Sequence, residues 1–123
     1  GYSAAGGLDE LSTFGVTRVS ELEETGAVHT YEFDPTTLGL KVPQWAALQV
    51  SGPEQSAEVI RGVLDGADNP ARDIVCLNAG AAIYVAGLAD GLASGFAAAE
   101  KAIDTGAASE ALAKLVEVTN SEA

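Results

Sequence analysis

Between Ile74 and Gly87 the chain reads IVCLNAGAAIYVAG, a run that is apolar nearly all round. A helix of this kind has no solvent face, so in a globular protein it is expected to be covered on most sides. Asn69-Pro70 opens it, and Asp73 falls in the first turn, where a carboxylate complements the free N–H groups. Even extended to Ala89, the run is too short and too rich in Ala and Gly for a membrane span. Asn78, in its middle, needs a hydrogen bond if buried, and a structural interaction is the role expected of it.

The rest of the chain must supply the cover. SGPEQSAEVIRGVLDG (51–66) reads as a helix with Pro53 at its first position, Glu54 in its first turn and Gly66 as its stop. Its Val59, Ile60, Val63 and Leu64 share one face. Asp90 is placed to cap a third helix running through Ile103 and ending near Gly106. A fourth, EALAKLVEV, carries Leu112, Leu115 and Val116 on one stripe, and the tail NSEA is expected to fray. One short helix is expected after Pro43. Gly87, Gly91 and Gly95 recur every four residues, which in a soluble protein signals a helix break and a close approach of helices.

Upstream, VTRVSELE (16–23) and AVHTYEFD (27–34) lean towards strand, separated by Glu24, Thr25 and Gly26. Tyr31 and Phe33 alternate with Thr30 and Glu32 as in a half-buried strand, whereas Val16, Val19 and Leu22 lie three apart. Residues 1–15 read as loop. The order is thus a loop (1–15), a hairpin (16–34) and four or five helices (43–118), in one α/β domain with no internal repeat and no dividing linker. Two strands alone cannot bury the faces these helices offer. Either the fold is mainly helical with a β appendage, or the strands belong to a larger sheet whose other strands lie elsewhere.

Composition narrows the function. Eighteen acidic against six basic side chains give a net charge of -12, which disfavours nucleic acid and anionic membranes and leaves a divalent cation acceptable. The one cysteine, Cys76, cannot form an intramolecular disulfide and sits in the apolar run, which points to a packing role and a reducing compartment. No basic-then-apolar leader is visible, so a cytoplasmic protein is expected. A mean hydropathy of +0.17 despite this charge is compatible with a missing packing partner.

Signatures of metal centres and activated nucleophiles are mostly absent. One His and one Cys do not make a zinc set, and no phosphate-binding glycine loop or nucleophile elbow occurs. His29 reads as a partly exposed strand residue, and no catalytic residue is assigned. There remain Asp9 and Glu10, adjacent carboxylates in GGLDELS (6–12). They can be solvated charge, a helix start, or ligands for a hard cation such as magnesium, which binds through one or two carboxylates and shares its shell with phosphates.

Taken together, GLDELS, TRVSELE, the YEFDP strand before LGL, ARDIVCLNAGAAIYVAG and AEKAIDTGAA resemble, in order and spacing from about Gly7 to about Val118, the C-terminal portion of the anthranilate phosphoribosyltransferase family. The resemblance implies part of a nucleoside phosphorylase/phosphoribosyltransferase-like α/β domain. It also implies transfer of phosphoribosyl from phosphoribosyl pyrophosphate (PRPP) to anthranilate in tryptophan biosynthesis. By the same resemblance Asp9 and Glu10 are expected to hold Mg²⁺ at the substrate's pyrophosphate, and the full enzyme to be a homodimer.

The departures matter as much. The family's Gly-Thr-Gly-Gly-Asp loop, its Lys-His-Gly-Asn segment, its anthranilate-associated arginine and its N-terminal helical domain are not found. GYSAA (1–5) does not resemble the strand expected before the motif. The chain is therefore expected to be a C-terminal segment, partnered by the N-terminal part of the same enzyme and inactive alone. Two alternatives stand beside it: a non-enzymatic acidic interaction module, and a segment of a related nucleoside phosphorylase.

Overall fold

The computed structural model describes residues 2–3 and 7–122. The chain divides into two compact units, one ending at Gln49 and the other beginning at Val50.

The first unit holds an antiparallel sheet in the order β1 (Tyr2–Ser3), β2 (Thr17–Leu22), β3 (Val28–Phe33). β2 and β3 pair from Thr17 opposite Phe33 to Leu22 opposite Val28, which is the expected hairpin. Its turn is closed by Gly26 N–H donating to the Glu23 carbonyl and Glu23 N–H donating to the Ala27 carbonyl, both at 2.9 Å. Gly26 sits at φ +84°, a left-handed conformation that costs glycine little, and this fixes the reversal at Glu24-Thr25-Gly26.

Burial explains why β2 is hard to read by periodicity. Thr17 and Phe33 are buried at one end of the hairpin, Val19 and Tyr31 are half-buried, and Val16, Leu22 and Val28 are exposed. The opposite face is solvated, and the hydroxyls of Ser20 and Thr30 meet across it at 2.9 Å. The loop expected over 1–15 needs correction, because β1 pairs Tyr2 with Arg18 and Ser3 with Thr17. A strand of two residues is too short to leave a periodic signal. The remainder of GYSAA, at positions 1, 4 and 5, and Gly6 lie outside the described residues.

After β3 the chain makes two 3₁₀ turns. Asp34 caps the first, Pro35–Leu38, by accepting from Thr36 N–H at 2.9 Å. The second, Trp45–Leu48, stands where a short helix is expected after Pro43. Trp45 packs against Phe14 with ring centroids 4.7 Å apart, which ties this turn to the loop ahead of β2.

The second unit contains four helices, α1 (Pro53–Leu64), α2 (Pro70–Val85), α3 (Leu92–Asp104) and α4 (Ala107–Asn120). The expected end signals operate: Pro53 and Pro70 stand at first helical positions, the Asn69 side chain accepts from Arg72 N–H at 3.0 Å, and Gly66 turns the chain at φ +94°. Asp90 is not the cap of α3. Gly91 takes that position, and Ser94, three residues on, accepts from the N–H groups of both Asp90 and Gly91 at 3.1 Å. The Ser94 hydroxyl thus takes up the N–H groups just ahead of the helix, and among the described residues no side chain caps the N–H groups of its first turn.

The core of this unit is the α2–α3 crossing. Ala71, Cys76, Leu77 and Gly80 of α2 are buried, as are Gly95, Ala99 and Ile103 of α3 and Val63 of α1. A Cβ built on Gly80 would stand 2.5 Å from the Phe96 nitrogen, and one on Gly95 would run into the Gly80 carbonyl. Of the spaced glycines, Gly87 ends α2 at φ +77°, Gly91 caps α3 and Gly95 makes the contact, so both the break and the close approach are present. Arg72 and Asp104 pair at 2.9 Å, linking the start of α2 to the end of α3.

α2 is buried or half-buried on most sides, as its apolar run requires, and its exposed positions Val75, Ala79, Ala82 and Val85 form a single stripe. Val59 and Ile60 of α1 are exposed beside buried Val63, and α4 buries no residue at all. The described residues simply provide no second surface for these faces. α4 also extends to Asn120, so the expected frayed tail begins later, and Ala123 lies outside the described residues.

Candidate functional site

Gly7, at φ +64°, turns the chain into a bend at Asp9 and Glu10, and both carboxylates are exposed. Burial begins at the next residue, with Leu11, Ser12 and Thr13 all buried. Ser12 N–H donates to Thr17 Oγ1 at 3.1 Å, and Ser12 Oγ accepts from Phe14 N–H at 3.0 Å. Hydroxyls thus satisfy the backbone of a loop that has no ladder of its own, and they fasten it to the first residue of β2. The Phe14–Trp45 contact holds its far side. Thr13 Oγ1, buried as well, has no hydrogen-bond partner among the described residues.

The resulting arrangement is two solvent-facing carboxylates on a loop anchored directly behind them. Among the described residues no group of three or more His, Cys, Asp or Glu stands close enough to enclose a metal ion. A closed structural site is therefore absent among them. The donor set is two hard oxygen ligands, and it fits a cation such as magnesium that keeps several waters or completes its shell on phosphate oxygens. The structure places Asp9 and Glu10 together as their adjacency requires. The anchoring hydroxyls Ser12 and Thr17 do not stand out in the sequence. Their only signal is the Ser12-Thr13 dipeptide just past Leu11, with Thr17 further on at the start of the strand-like segment.

The other candidate residues keep structural roles. Cys76 is fully buried, and burial pushes its thiol from an ordinary 9.0 to about 11, so it stays protonated. Asn78 Nδ2 donates to the Ile74 carbonyl at 3.0 Å, the hydrogen bond its setting requires. His29 is exposed and stacks on Tyr31 with centroids 5.6 Å apart. Tyr31 is itself held above its usual range by burial and by the Glu21 carboxylate. No helix among the described residues is long and apolar enough to cross a membrane.

Residues 3–109 match the glycosyl transferase family, a/b domain. The anthranilate phosphoribosyltransferase of Polynucleobacter necessarius subsp. necessarius (strain STIR1) is 47% identical over 117 residues, 95% of this chain and 34% of that protein. That of Methylobacterium sp. (strain 4-46) is 49% identical over 93% of this chain and 34% of its own length. The crystal structure of anthranilate phosphoribosyltransferase from Thermus thermophilus superposes with a TM-score of 0.79 at 35% identity, covering 91% of this chain and 33% of that one. The chain spans about a third of the length of these relatives, and the part it matches is their C-terminal portion.

Proposed function

The chain belongs to the glycosyl transferase family, a/b domain, and from that footing we propose that it is the C-terminal portion of an anthranilate phosphoribosyltransferase. The reaction moves phosphoribosyl from PRPP to the amino group of anthranilate in the synthesis of tryptophan. The ribose carbon–oxygen bond breaks as pyrophosphate leaves with the electron pair, and the amine nitrogen forms the new bond and loses a proton. The observation that carries this reading is the near-complete alignment of the chain with enzymes of that name.

Within that enzyme, Asp9 and Glu10 are the residues that hold Mg²⁺. Their exposure leaves both carboxylates available, and the bonds from Ser12 and Thr17 keep the loop in place without engaging them. When bound, the ion offsets the negative charge that gathers on the departing pyrophosphate. Asp9 and Glu10 would in this way let a chain of charge -12 accept a polyanionic substrate through a bound cation. The phosphate cradle and the anthranilate pocket belong to the upstream part of the enzyme, so the chain alone is inactive. Cytoplasmic location and a homodimer built through the upstream part complete the proposal.

The test follows anthranilate fluorescence with PRPP and Mg²⁺ present. One sample is this chain alone. The other is the Polynucleobacter relative with its C-terminal third replaced by this chain. Silence from the first and turnover by the second is expected. Turnover by the chain alone overturns the division of labour, and silence from both favours the interaction module.

A further inference from the structure

We propose that the apolar stripe of α4, through Leu112, Leu115 and Val116, is an interface for the upstream two thirds of the enzyme. The inference rests on the function proposed above and adds the surface by which this segment joins the remainder.

The case begins with an imbalance. In the second unit Val63 and Leu77 are 1% exposed and Ile103 6%, whereas on the stripe of α4 Leu112 is half-buried and Leu115 and Val116 are 58% and 52% exposed. α4 buries none of its side chains, yet it runs unbroken from Ala107 to Asn120. A helix of that length is marginal by itself in water, because helices in proteins are stabilised chiefly by packing one apolar face. A concentrated apolar ridge on such a helix marks a docking surface rather than scattered exposure.

The occupant is indicated by length and charge. Relatives aligned over nearly all of this chain carry about twice as much sequence again, which is the missing material such a ridge would require. A second copy is the poorer candidate, since two chains of charge -12 repel.

Hydrogen exchange at the α4 amides, compared between the isolated chain and the full-length chimaera with the Polynucleobacter relative, tests the proposal. Exchange at residues 112–120 should be at least about tenfold slower in the chimaera. The double variant Leu115→Ser with Val116→Ser should lower the chimaera's Tm and leave that of the isolated chain unchanged. Equal exchange in the two proteins overturns the proposal. So does protection that rises with the concentration of the isolated chain, which assigns the ridge to a second copy. A Tm loss in the isolated chain also overturns it, by showing that the ridge is covered from within. An inactive chimaera with a protected α4 would retain the interface and remove the enzymatic reading, whereas an active one with an unprotected α4 would do the reverse.

Discussion

Gly80 and Gly95 bring the backbones of α2 and α3 into direct contact, with no side chain between them. Either glycine replaced by alanine must push the helices apart, because the obstructing atoms are main-chain and cannot swing away. Gly80→Ala and Gly95→Ala should each cost about 1–3 kcal/mol in urea denaturation. Gly62→Ala is the control: this glycine lies inside α1 with open space around it and no left-handed φ. It should stabilise by about 0.5–1 kcal/mol, the usual difference between alanine and glycine in a helix.

Cys76 should be chemically silent while the protein is folded. A thiol moved from 9.0 to about 11 has roughly a hundredfold less thiolate near neutral pH, and burial removes access as well. Alkylation by iodoacetamide at pH 8 should be at least about a hundredfold slower than in denaturant. The sign of the linkage follows: stability from the neutral thiol is complete below pH 9.0 and is lost as pH rises towards about 11. Cys76→Ala should lose less stability than the parent over that window.

Asp34 gives the opposite sign. Thr36 donates to it through both its hydroxyl, at 2.7 Å, and its N–H, at 2.9 Å, and holds the carboxyl below its ordinary 3.8. Its contribution is present above that ordinary value and is lost as pH falls through the lowered folded one. Asp34→Asn should flatten the acid limb of a Tm profile taken from about pH 5 to about pH 2. Its slope near neutrality should be unchanged.

The carboxylate pair separates function from stability. Asp9 and Glu10 are both exposed, so Asp9→Ala with Glu10→Ala should leave the Tm of the chain unchanged within the small range of surface substitutions. In the active chimaera the same change should lower turnover on the order of a hundredfold, with partial recovery at high Mg²⁺. Unaltered turnover would remove the pair from the metal site.

Signals that act locally are legible in the sequence. Pro53, Asn69-Pro70, Gly26 and Gly66 each fix a cap or a turn through their own backbone chemistry, and each element starts or stops where they stand. The cap at Gly91 is harder, because an acidic residue just ahead of an apolar run reads as the cap, whereas the glycine takes that position and Ser94 accepts from the N–H groups of Asp90 and Gly91. β1 exists through pairing with distant residues, so nothing inside Tyr2–Ser3 announces it. Periodicity correctly marks Leu112, Leu115 and Val116 as one stripe. It cannot reveal whether another surface meets them. At the site, adjacency of Asp9 and Glu10 is visible directly. The buried hydroxyls behind them depend on the fold bringing Ser12 to Thr17.

The α2–α3 pair also has a kinetic meaning. Its helices are joined by the short connection 86–91, touch close to that connection at Gly80 and Gly95, and are latched at the far end by Arg72 and Asp104. Closing a loop this short loses little chain entropy, so the pair can assemble within a single local search. It would then persist as the slowest-exchanging nucleus of its unit, with α1 and α4 condensing onto a frame already formed.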